Sequence, residues 1–208
     1  MNRSARAVSA LFLAAAAFAP AHAQDPRLGN PLDAPSRTAI LALIDSAKAQ
    51  GIPTEPLVQK VNQGVAMGVD GPRIVAAVRT LTREMATAHR ALGTVASADE
   101  IQAAASAVHA GVPAVELGKI KKQSGLRRSL TLPFTVLADI VSRGVPVEAG
   151  VNAIRSMVGA GAKDADINNF QRNVSGDIEK GAPPAAAAET RAKAVPNKPD
   201  SSKPEQQL

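Results

Sequence analysis

The chain has 208 residues, which suits one domain with terminal extensions, and it carries a formal net charge of +6. It has no cysteine, which excludes disulfides, thiol nucleophiles and cysteine-based metal sites. It also has no tryptophan or tyrosine, so a cleft that grips sugars or nucleobases by aromatic stacking is not expected.

The first 23 residues have the pattern of a cleaved secretory signal. Arg3 and Arg6 form a positive n-region, the stretch Ala7–Ala19 is apolar, and Ala21-His22-Ala23 supplies small residues before the cleavage point. The apolar stretch is shorter than the roughly 20 residues that span a bilayer. We therefore expect cleavage after Ala23, no transmembrane segment in the mature chain, and export to a periplasm or to the cell exterior.

Composition divides the rest of the chain into three parts. Residues 24–35 contain three prolines and are predicted to be an extended lead-in. Residues 36–180 are predicted to be a helical-repeat domain. Residues 181–208 are rich in proline and alanine and have little apolar surface to bury, which predicts a disordered tail.

Within the central part, a glycine, an aliphatic residue and a proline recur as a unit three times. A left-handed glycine closes a helix, and proline is tolerated at the start of the next one, so each unit predicts a tight corner between two helices. Two of the corners are followed 17 residues later by another glycine, which suggests divergent copies of one helical hairpin. The corners are Gly51-Ile52-Pro53, Gly111-Val112-Pro113 and Gly144-Val145-Pro146.

Apolar residues at helical spacing predict about eight short helices and no strand. In chain order they lie at about 36–50, after 54, at 71–92, after 97, around 115–120, at 132–143, after 146 and after 164. Ser97 and Glu100 form a capping-box pattern at the start of the fourth helix. The expected fold is all-α, with helical hairpins stacked as a small solenoid or bundle.

Five cations fall within ten residues after the second corner, and they form a candidate contact for phosphate on a lipid or an envelope polymer. The alternative is a solvated helix end, where lysine and arginine also suit the helix dipole. The residues are Lys119, Lys121, Lys122, Arg127 and Arg128.

The same region resembles a DNA-binding helix-turn-helix in its apolar and glycine positions between Ala107 and Ile120. That resemblance implies a recognition helix that carries Lys119, Lys121 and Lys122. However, the Gly51 and Gly144 corners lack such basic residues, and an exported protein meets little regulatory DNA. No nucleic-acid partner is therefore expected.

No catalytic, cofactor-binding or metal-ligating set emerges from the pattern. His89 and His109 are the histidines that remain after signal removal, and a zinc site needs three or four ligands. Glu55, Glu116 and Glu148 each follow a corner proline, where the helix dipole favours an acid. There is no Gly-x-Ser-x-Gly elbow and no phosphate loop with a lysine.

These features favour an exported, non-enzymatic binding or scaffolding module that uses no cofactor. Its partner would be a protein or a cell-envelope polymer. The alternatives are an envelope hydrolase that uses Asp or Glu and a helix-turn-helix DNA binder. A deep cleft with two facing carboxylates would favour the hydrolase.

Overall fold

The computed structural model describes residues 32–125 and 128–194, and all regular structure in those ranges is helical. The all-α class is confirmed, with nine helices in the described residues where about eight were predicted. The predicted signal at 1–23 lies outside these ranges, as do residues 24–31 of the lead-in. The helices are α1 (Ala34–Ala49), α2 (Glu55–Ala66), α3 (Gly71–Leu92), α4 (Ala98–His109), α5 (Ala114–Ser124), α6 (Thr131–Ser142), α7 (Val147–Gly159), α8 (Asp164–Glu179) and α9 (Pro184–Lys193).

Each Gly-aliphatic-Pro corner closes one helix and leads directly into the next. Gly51, Gly111 and Gly144 have φ angles of +69°, +97° and +93°, which a residue with a Cβ rarely adopts. The amide of the following aliphatic residue donates to the carbonyl oxygen five residues earlier at 2.9–3.0 Å, as in a Schellman motif. That aliphatic side chain is buried at all three corners, so the turn is fastened to the core.

A further corner of the same kind lies where the pattern predicted the start of a disordered tail. Gly181 has a φ angle of +93°, and the amide of Ala182 donates to the carbonyl oxygen of Asp177 at 2.9 Å. The chain then continues as α9, in which Ala187 and Ala188 are buried. The prediction of disorder is thus wrong for residues 184–193, which form a helix. The small alanine side chains of this helix allow it to pack closely against α7 and α8. Residues 195–208 lie outside the described ranges.

The helices pack in two interlocking sets. The odd-numbered helices contact one another in order, α1 on α3, α3 on α5, α5 on α7 and α7 on α9, while α4 packs on α6 and α6 on α8. The 22-residue α3 also contacts α2 and α4. The largest fully buried side chains between the helices are those of Phe134, Phe170, Ile40, Leu57, Met85, Leu117, Ile120, Leu130, Leu137, Ile140, Ile154 and Met157.

None of the helices in the two described ranges combines the length and the apolar character that crossing a bilayer requires.

Candidate functional site

A groove with a volume of about 650 Å³ opens between α2, α3, α4 and α6. We call it the acidic groove, for the charges described below. Most of its lining side chains are small, and a few are charged. Its lining includes Ala76, Ala77, Ser106, Ala138 and Ser142 among the small residues and Lys60, Glu84, His109 and Asp139 among the charged ones.

His109 on α4 forms a hydrogen bond with Glu84 on α3 within this groove. His109 Nδ1 lies 2.7 Å from Glu84 Oε1, and an ionised carboxylate can only accept, so the ring nitrogen donates. The Glu84 side chain is 17% exposed and the His109 side chain 72% exposed. The carboxylate therefore belongs to the wall of the groove, whereas the imidazole lies at its rim.

Asp139 on α6 repeats this arrangement. Both of its carboxylate oxygens accept from Arg143 Nε at 3.0 Å, and Oδ2 also accepts from Gln171 Nε2 of α8 at 2.9 Å. Asp139 is 27% exposed and Arg143 45% exposed, and Lys60 is an exposed residue. The two carboxylates are thus set deeper in the groove, and His109, Arg143 and Lys60 are more exposed.

Two carboxylates in one groove is the arrangement that the hydrolase alternative requires. Each carboxylate is, however, already engaged by side chains of the protein, Glu84 by His109 and Asp139 by Arg143 and Gln171. General acid–base catalysis needs a group within hydrogen-bond reach of the substrate's proton. Both groups would have to leave these partners to act on a substrate.

The groove also contains a serine on the same helix as the histidine. Ser106 lies one turn before His109, but its hydroxyl donates to the carbonyl oxygen of Gln102 at 3.2 Å. The hydroxyl is therefore directed along its own helix and not towards the imidazole, so the serine and the histidine are not arranged as a nucleophile and its base.

The four cations of the basic stretch that the structure describes do not form one cluster. Lys121 points inward, with its side chain 12% exposed. Arg128 donates to the carbonyl oxygen of Ala162 and to Asp164 Oδ1, which ties the segment before α6 to the start of α8. Arg127 lies outside the described residues. A recognition helix at α5 would thus present only two of its three lysines to DNA.

Lys121 binds Glu100, which is the capping-box residue of α4. Glu100 Oε2 accepts from Lys121 Nζ at 2.9 Å and from the amide of Ser97 at 3.2 Å, and Oε1 accepts from the amide of Leu130 at 2.8 Å. The predicted capping box is therefore present, and the same carboxylate also joins α4 to α5 and to the start of α6.

Hydrogen bonding determines the charge state of this buried carboxylate. Burial by itself raises the pKa of Glu100, but the hydrogen bonds from Lys121 and from the amides of Leu130 and Ser97 outweigh it. The net result is a pKa below the usual range for glutamate, so the side chain is ionised at neutral pH. Lys121 is thus part of the fold and is not a surface contact.

The remaining two lysines lie in a second groove, of about 480 Å³, between the C-terminal part of α3 and α5. We call it the basic groove. Lys119 and Lys122 line it from α5, and Arg90 lines it from α3. Arg90 is a cation that the sequence pattern did not select, because it lies 29 residues before Lys119 and only the packing of α3 on α5 brings the two together.

The histidines do not come together. His89 lies on α3, and His109 pairs with Glu84 across 25 residues of sequence. In residues 32–125 and 128–194 there is no group of three histidine, aspartate or glutamate side chains that could hold a metal ion. The Glu84–His109 pair could not be predicted from the sequence, because its two residues are 25 positions apart and form no short-range spacing pattern.

Comparison of the chain with protein-family models, with curated proteins and with solved structures found no match. The function of this protein must therefore be argued from the two grooves and their charges.

Proposed function

We propose that this protein is an exported, non-enzymatic binding module that holds a basic segment of a partner protein in the acidic groove. One observation carries the proposal. Glu84 and Asp139 lie in the wall of the groove, at 17% and 27% exposure, and their hydrogen-bond partners His109 and Arg143 are more exposed. A lysine or arginine that reaches past these more exposed partners into the groove would face the two carboxylates, whose remaining lone pairs can accept further hydrogen bonds.

The shape and the lining of the groove support a peptide ligand. A volume of about 650 Å³ lies within the usual range of binding sites. Ala76, Ala77 and Ala138 leave room for a backbone to approach the helices closely. An amphipathic helix laid into such a groove would bury its small or apolar face and direct its basic residues to the acidic wall.

The order of helix contacts supports the proposed repeat architecture. In stacked hairpins each helix packs on the one two positions along the chain, as α3 does on α5 and α4 on α6. The glycine corners at 51–53, 111–113 and 144–146 support the same proposal. Export is proposed from the signal pattern at residues 1–23.

The proposal is tested by selecting groove-binding peptides from a displayed random library on the purified protein. Ser106→Trp fills the groove from an exposed position, and Thr94→Trp adds the same side chain in the α3–α4 loop. We expect a class of peptides that bind the wild-type protein and Thr94→Trp but not Ser106→Trp. We expect lysine or arginine to be enriched at one or two of their positions.

Charge variants complete this test. Glu84→Gln with Asp139→Asn should weaken the selected peptides about tenfold or more, since charge-assisted hydrogen bonds would be lost. Asp45→Asn with Glu148→Gln removes the same two charges from exposed positions outside the groove and should change affinity little. Groove-dependent peptides that are acidic, or that lose equal affinity in both double variants, would contradict the proposal.

The hydrolase alternative is favoured by one observation, the presence of Glu84 and Asp139 in the same groove. It predicts turnover of purified envelope polymers that both Glu84→Gln and Asp139→Asn abolish. The binding proposal predicts no turnover by the wild-type protein, so release of soluble fragments is the measurement that separates the two.

A further inference from the structure

We infer that the basic groove between α3 and α5 binds a linear polyanion with phosphate groups along its chain. The site shares no lining residue with the acidic groove, so it does not depend on the function proposed above. It also differs from the contact predicted from the basic stretch. Lys121 and Arg128 are engaged within the fold, and Arg90 takes part instead.

The placement of the cations along the basic groove suits a linear polyanion. Arg90 lies on the last turn of α3, while Lys119 and Lys122 lie three residues apart on α5. Residues at that spacing are neighbours on one helix face, about 5–6 Å apart between Cβ atoms. The groove is thus bordered by a pair of lysines on one helix and by an arginine on the other, and successive anionic groups of one chain could meet them in turn.

These three cations also keep hydrogen-bond donors for a ligand. Arg90 Nη2 donates to Thr87 Oγ1, a neutral partner, at 3.2 Å. Lys119 Nζ donates to Glu116 Oε1 at 2.7 Å, and its side chain is 54% exposed, so two further Nζ hydrogens are available to solvent. Lys122 is exposed on the same groove. With Glu116 included, the groove retains a positive excess.

The shape of the basic groove favours a linear polymer over a bilayer surface as its ligand. Gly118 lies between the lysine-bearing face of α5 and α3, and a Cβ there would be 3.0 Å from the carbonyl oxygen of Ala91. The missing side chain lets the two helices approach and leaves a concave floor with Ala91 and Ala114. Val115 is exposed at this groove, but one valine is a small insertion for membrane anchoring.

The test measures binding of the full chain to polyphosphate of defined length at several salt concentrations. Arg90→Gln with Lys122→Gln removes two charges from the groove. Lys48→Gln with Arg79→Gln removes the same two residue types from exposed positions on α1 and α3, so net charge and composition are matched. We expect the groove variant to weaken binding about tenfold or more and the control variant to weaken it less than about twofold. Binding should also decrease as salt increases.

Two further measurements use inorganic phosphate as a competitor and vesicles of phosphatidylglycerol as an alternative ligand. We expect inorganic phosphate to compete poorly with polyphosphate, because a single anion contacts the cations one at a time and gains no effective concentration. Equal loss of affinity in the two double variants would overturn the inference, since that result means attraction by net charge alone. Binding to vesicles without binding to polyphosphate would overturn it in favour of a lipid surface, and no binding to either would overturn it outright.

Discussion

Lys121 Nζ donates to Glu100 Oε2 at 2.9 Å, and the two side chains are only 12% and 6% exposed. They lie 21 residues apart and join α5 to the first turn of α4. Because Glu100 also accepts from the amide of Leu130, the same carboxylate holds the chain where α6 begins. Glu100, the capping-box residue of α4, thereby links α4 to α5 and to the start of α6.

Replacement of the lysine tests the energetic weight of this pair. Lys121→Met keeps most of the aliphatic stem but leaves the Glu100 carboxylate buried without a cation. Loss of one partner of a buried pair commonly costs 3–5 kcal/mol, and two amides remain on Glu100, so we expect unfolding free energy to fall by about 2–3 kcal/mol. Urea denaturation of Lys121→Met and of the wild-type protein measures this loss of unfolding free energy. Lys122→Met, at an exposed neighbouring position, should change stability by less than about 0.5 kcal/mol, and equal effects would refute the structural role.

The lowered pKa of Glu100 predicts acid lability of a defined sign. In the unfolded chain glutamate titrates near pH 4.3, and in the folded protein Glu100 titrates lower. Between these values the unfolded state binds more protons, so the stabilisation is full above about pH 5 and is lost as the pH falls through the folded-state pKa.

Glu100→Gln should therefore be less stable at pH 7 and should lose less additional stability between about pH 5 and pH 3. The pKa of Asp33 is lowered chiefly by the Ser36 amide, and that of Asp177 chiefly by Arg191, in both proteins. Asp33 and Asp177 therefore contribute equally to the pH dependence of stability in the wild-type protein and in Glu100→Gln. Denaturation curves across this range measure the difference, and parallel curves would count against the assignment.

Two helical glycines should respond in opposite directions to added side chains. Gly118→Val brings methyl groups against the carbonyl of Ala91, where a Cβ alone would be at 3.0 Å, so we expect a loss of about 2 kcal/mol. Gly176 has no atom within 4 Å of a Cβ, and alanine favours a helix interior over glycine, so Gly176→Ala should gain about 0.5–1 kcal/mol. Thermal unfolding distinguishes them, and a stabilising Gly118→Val would contradict the close approach of α3 and α5.

The docking of α9 predicts a contrast between two alanines two positions apart. Ala188 is fully buried, so Ala188→Glu would place a charge in the interface with the neighbouring helices or force α9 away, at a cost of about 2 kcal/mol or more. Ala186 is exposed, and Ala186→Glu should alter stability by less than about 0.5 kcal/mol. Denaturation combined with amide exchange in residues 184–193 measures both, and equal behaviour of the two variants would argue against a docked α9.

The local structure of this protein follows from short-range patterns in its sequence. The glycine corners, the Ser97–Glu100 capping box and the apolar spacing depend on contacts within about five residues, so they can be inferred before any fold is known. The corner at 181–183 has the same Gly-x-Pro pattern, which predicts a following helix as it does at the other three corners. The proline- and alanine-rich composition around it favoured a prediction of disorder instead, although alanine is the best helix former.

The contacts of the charged residues, in contrast, depend on how the helices pack. Lys119, Lys121 and Lys122 look equivalent in sequence, yet the fold places Lys121 beside Glu100 on the first turn of α4 and leaves the other two on a groove. Glu84 meets His109 across 25 residues for the same reason. Which face of a helix is buried, and beside which neighbour, depends on all the helices at once. That arrangement buries Lys121 in an ion pair with Glu100 and leaves Lys119 and Lys122 exposed on a groove.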